Sequence, residues 1–128
     1  MWYAVELVCA SAVVNNDGGA ADAVYQFSSR RLRDVWVADG APSGPGERRA
    51  VSARHPLVRR SPRWGRIDGD SAAWRVLAEQ RVERTPELAR FSAICLYDWG
   101  PEHWRWLATA PAHQIVKWAK AMAEASVE

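Results

Sequence analysis

The spacing of the apolar residues changes once along this chain, from a period of two to one near 3.6, and that change limits the folds open to it. Tyr3, Val5, Leu7 and Cys9 alternate with Trp2, Ala4, Glu6 and Val8, and the run continues to Val13 and Val14. Alternation in β-branched company predicts a strand with one face on a core. Residues 15–19 (Asn-Asn-Asp-Gly-Gly) tolerate positive φ, so a reversal should follow, with an antiparallel return through residues 24–27. Residues 32–38 place Val35 and Val37 on one side and Asp34 and Trp36 on the other, which predicts a third strand. Segments 20–23 and 29–32 compete with this reading as helical turns.

Beyond residue 70 the period is helical. Asp70 or Ser71 is placed to cap a helix with Trp74, Leu77, Ala78 and Val82 on one stripe. Thr85-Pro86-Glu87 predicts a second start, with Leu88, Phe91, Cys95 and Trp99 at helical spacing until Gly100-Pro101 stops it. A strand over 91–97 is the competing assignment. Pro101 can open a helix carrying Trp104, Leu107 and Ala108, and Thr109 can cap a last one with Ile115, Trp118, Ala119, Met122 and Ala123. The expectation is one α+β domain over 1–128, in which a small, mainly antiparallel N-terminal sheet is covered by a C-terminal set of short helices.

Between the two textures, residues 40–69 hold four prolines (42, 45, 56 and 62) and repeated glycines, which disfavour any long regular element. Short strands near 50–52 and 57–59 would shorten the loop. The stretch is also the basic part of the chain. From 40 to 67 seven arginines (Arg48, Arg49, Arg54, Arg59, Arg60, Arg63, Arg66) face one acid, Glu47, a balance of +6 that leaves the rest of a +2 chain at −4. Arginine suits phosphate, carboxylate and aromatic faces. A GC-rich coding sequence also enriches arginine and alanine together, so the count alone names no ligand.

No residue set carries an enzyme signature. Glu102-His103 lacks the second histidine of a zinc helix, and His55, His103 and His113 stand in no known pattern. Cys9 and Cys95 lie in apolar runs, where a buried thiol is the ordinary outcome. Asp68-Gly69-Asp70 lacks the remaining ligands of a calcium loop and is accounted for by a turn and a cap. No catalytic residue, metal or cofactor is therefore assigned. No run is long and apolar enough for a membrane span, and the Ala10-Ser11-Ala12 tripeptide lacks the basic and apolar regions of a signal, so a cytoplasmic protein is expected.

Eight tryptophans in 128 residues are more than a core of this size calls for. Trp106 stands two positions from Trp104 and would face away from it on a helix, Trp36 opposes Val35 and Val37, and Trp64 lies among arginines. Tryptophan and arginine are the side chains most enriched at binding hot spots. The sequence thus points first to a protein-interaction module, a regulator, inhibitor or self-associating chain, using Trp36, Trp64, Trp106, Arg63 and Arg66. The alternative is a nucleic-acid-binding accessory protein in which Arg48, Arg49, Arg54, Arg59, Arg60, Arg63 and Arg66 track phosphates. An enzyme of unfamiliar type is the third reading.

Overall fold

A computed structural model describes residues 1–7, 22–40 and 46–126, so the predicted reversal at 15–19, the strand continuation through Val13 and Val14, and Cys9 lie outside the described residues. The fold is α+β, with a four-stranded N-terminal sheet followed mostly by helices. The chain forms two compact units, Met1–Ala73 and Trp74–Glu128.

In the first unit, β1 (Trp2–Leu7) pairs antiparallel with β2 (Ala23–Phe27) on one side and with β3 (Glu47–Val51) on the other. A two-residue β4 (Ile67–Asp68) lies parallel to β2, giving the order β3-β1-β2-β4. Register then sorts side chains by face, because directly paired residues in an antiparallel ladder point the same way. Tyr3, Val5 and Val24 form one face and cluster with Val58 of α2 (Pro56–Arg60). Ala4, Tyr25, Phe27 and Arg48 occupy the other, where Trp36 of α1 (Arg30–Ala38) packs.

The predicted strand at 32–38 is this helix. Ser29 sits at its N-cap and its hydroxyl accepts from the Leu32 amide at 3.1 Å, while Leu32 and Trp36, four residues apart, are the buried pair. The apparent alternation of Val35-Trp36-Val37 arises because flanking positions on a half-buried helix are also apolar. The third strand comes instead from 47–51 in the proline-rich segment, and 57–59 falls in α2, not in a strand. His55 explains α2's start, since its Nδ1 accepts from the Leu57 amide at 3.1 Å and Pro56 takes the first helical position.

The second unit is helical. Its residues begin within α3 (Gly69–Arg84), whose cap is Asp68: Oδ1 accepts from the amides of Asp70 and Ser71. Asp70 instead accepts from the Ser28 amide, and Ser71 gives its hydroxyl hydrogen to Asp68. The single helix expected after Thr85 is broken into α4 (Pro86–Ala89) and α5 (Ser92–Cys95), with neither a strand nor a helix continuing to Trp99. The α6 helix (Pro101–Thr109) starts at its proline as expected. Thr109 does not cap α7 (Ala112–Ala125): its hydroxyl donates to the Arg105 carbonyl one turn back, and Pro111 holds the cap position. Ala78, Val82, Leu88, Cys95, Trp104, Leu107, Ile115 and Ala119 form one buried cluster. No helix among the described residues is long and apolar enough to cross a membrane.

Candidate functional site

The seven arginines of the basic segment divide by what their guanidinium groups touch. Arg48 is absorbed by the fold: its Nη1 donates to the Trp36 carbonyl at 2.8 Å, its Nε to Glu6 at 3.3 Å, and its plane lies over the Trp36 ring. Arg66 is likewise committed. It donates to the Val58 carbonyl, the Ser61 hydroxyl, the Tyr3 hydroxyl and Gln26, and stacks on Tyr3. Arg49 pairs with Glu47 of its own strand. Arg54, Arg59, Arg60 and Arg63 remain exposed, with no ion pair among the described residues, although Arg60 Nε donates to the Pro56 carbonyl.

Arg63 is the chain neighbour of Trp64, which at 89% exposure is the barest large apolar side chain among the described residues. Its backbone is held in a 3-10 turn, Arg63–Gly65, by amide bonds from Gly65 to Pro62 at 2.9 Å and from Arg66 to Arg63 at 3.2 Å. The turn is short and rigid at both ends: Pro62 fixes the entry, and the Arg66 network ties the exit to the sheet. A shallow hollow of about 550 Å³ opens beside Pro56, Arg59 and Arg60. A second, of about 260 Å³, is lined by Arg63 and Arg66, the exposed apolar Met1 and Ile67, and Asp68 and Asp70.

The other two tryptophans singled out from sequence are placed differently. Trp36 is only 2% exposed, its faces taken by Tyr25 at 4.1 Å between centroids and by Arg48. Tyr25 bears the cost of this packing: burial first, then the Glu6 carboxylate, pushes its phenol above the ordinary range, against the opposing pull of Arg48. Trp106 is half-buried, edge-on to Trp118 at 5.5 Å, and lies beside the buried cluster of the second unit. His103 stands among Trp99, Trp104, Trp106 and Trp118 and its Nε2 meets the Cys95 carbonyl at 3.0 Å, so Nε2 carries the hydrogen and donates. The structure leaves Trp64, Arg59, Arg60 and Arg63 exposed, and it places Trp36, Trp106 and Arg66 in packed surroundings.

Sequence reasoning missed Met1 and Ile67 beside Arg63. A two-residue strand gives no periodic signal, so nothing marked the outward direction of Ile67. Among the described residues no group of three His, Cys, Asp or Glu could hold a metal ion. The Cys95 thiol is pushed up by burial, away from the reactive thiolate. The chain matches no family model, no curated protein and no solved structure.

Proposed function

We propose that the chain is a protein-binding module whose anchor is Trp64, with Arg59, Arg60 and Arg63 selecting an acidic partner surface. The observation that carries this reading is an indole ring left 89% exposed on a short turn whose ends are fixed by hydrogen bonds. A turn so held loses little backbone freedom on binding, and seating the ring against a partner removes its apolar surface from water. The uncommitted arginines add complementarity to carboxylates, which steers encounter and excludes basic partners.

A protein is favoured over nucleic acid by what surrounds Arg63. Met1 and Ile67 offer apolar surface with no counterpart on a phosphate backbone. The test is affinity isolation on the full chain, with and without nuclease, at two salt concentrations, in wild type and Trp64→Ala. The reading expects a nuclease-resistant protein that Trp64→Ala fails to retain while its circular dichroism is unchanged. Recovery lost on nuclease treatment, with a steep dependence on log salt, would replace it with the nucleic-acid reading.

A further inference from the structure

A second site in the first unit is independent of Trp64. Trp2 at the start of β1 has two guanidinium groups over its ring, Arg33 with its central carbon 5.1 Å from the centroid and Arg30 at 5.9 Å. Both arginines belong to the first turn of α1 and share one acid, Asp34, which lies 2.9 Å from Arg33 and 3.8 Å from Arg30. Two cations and one anion leave a local charge of +1. The Arg33 side chain is only 13% exposed, yet just Nε and Nη2 bond to Asp34, both on the single oxygen Oδ1. The outer edge, formed by Nη1 and the second Nη2 hydrogen, has no acceptor among the described residues.

That arginine lines a hollow of about 390 Å³ with Met1, Trp2, Ala50, Val51, Ser52 and Ala53. It is an open hollow lined by apolar side chains with a few polar groups. Ser52 Oγ accepts from the Arg54 amide at 3.2 Å and keeps its own hydrogen for another acceptor. No carboxylate lines the hollow among the described residues.

We propose that this hollow binds a small monocarboxylate with an apolar or aromatic body. The carboxylate pairs with the outer edge of Arg33, where two parallel N–H bonds match its two oxygens, and the body lies against Trp2, Ala50 and Ala53.

The experiment titrates the ¹⁵N-labelled full chain with benzoate, and in parallel with benzyl alcohol and acetate. Saturable shifts are expected at the Ser52 and Ala53 amides and the Trp2 indole N–H for benzoate. Benzyl alcohol, which has the body without the charge, and acetate, which has the charge without the body, should each bind at least about tenfold more weakly. Arg33→Met should weaken benzoate by a similar factor, Ala53→Trp should abolish binding by filling the hollow, and Trp64→Ala should leave it unchanged. The proposal is overturned if benzoate shifts fail to saturate, if benzyl alcohol binds as tightly, or if Ala53→Trp binds like the wild type. Should Arg33→Met not fold, Ala53→Trp decides alone.

Discussion

Arg48 and Trp36 are joined twice: the guanidinium carbon sits 4.2 Å from the indole centroid, and Nη1 of the same group donates to the Trp36 backbone carbonyl at 2.8 Å. This pair fastens α1 to β3, and Glu6 draws β1 into the same contact. Replacing Arg48 by Met should therefore cost roughly 2–3 kcal/mol, the worth of a part-buried charged hydrogen bond plus a stacked cation. Lysine should restore little, since it cannot stack and fork at once. Urea denaturation of the three proteins measures both.

Gly69 begins α3 where a Cβ would lie 2.4 Å from the Phe27 ring. Alanine is the better helix former by about 1 kcal/mol, yet Gly69→Ala should destabilise by about 1–3 kcal/mol through overpacking. Combining it with Phe27→Leu should cost less than the two single changes added together, because the second change opens the space the first needs. Thermal melts of the full cycle would show this, and strict additivity would refute the clash.

The raised phenol of Tyr25 has a defined sign. The folded protein holds this proton more tightly than the unfolded chain, so the contribution to stability is complete below the ordinary phenol value of about 10 and is lost as pH rises through the elevated one. Stability should fall above pH 10, and Tyr25→Phe should flatten that fall while leaving neutral stability nearly unchanged. Chemical denaturation at pH 8, 10 and 11 provides the comparison.

Cys95 is fully buried in the helical unit and its thiol is held in the protonated form by burial. Alkylation at this residue, followed by peptide mass spectrometry, should be slow in the native protein and fast in urea. Rapid native labelling would place it at an accessible site instead.

Trp64→Ala should change stability by no more than about 0.5 kcal/mol, as for other surface positions, since among the described residues its side chain makes no hydrogen bond and joins no buried cluster. A large loss of stability would show that the ring is part of a core.

The sequence announces the elements that repeat and hides those that do not. The alternation of Tyr3, Val5 and Leu7 and the stripe of Ile115 and Ala119 both read correctly, because each is long enough to show its period. Val35, Trp36 and Val37 satisfy either period over three residues, so a strand and a helix read alike there, and only the Ser29 cap separates the two. The split after Ala89 carries no proline or glycine, so no local rule reports it, and Leu88 and Cys95 on its two sides share one buried cluster. At the candidate site, the charge of residues 40–67 was legible but its division was not. Arg48 and Arg66 look like Arg59 and Arg63 until the sheet supplies Trp36 and Tyr3 as partners.

The strand order leaves β3 and β4 as the outer borders of the sheet, and each is a poor template for another chain. β3 has Glu47, Arg48 and Arg49 along its length, so an incoming strand would meet charge at three of five positions. β4 offers two residues before Gly69 turns the chain into a helix, too few for a stable new ladder. Among the described residues the two edges are thereby blunted against edge-to-edge pairing, by charge on one side and by brevity on the other.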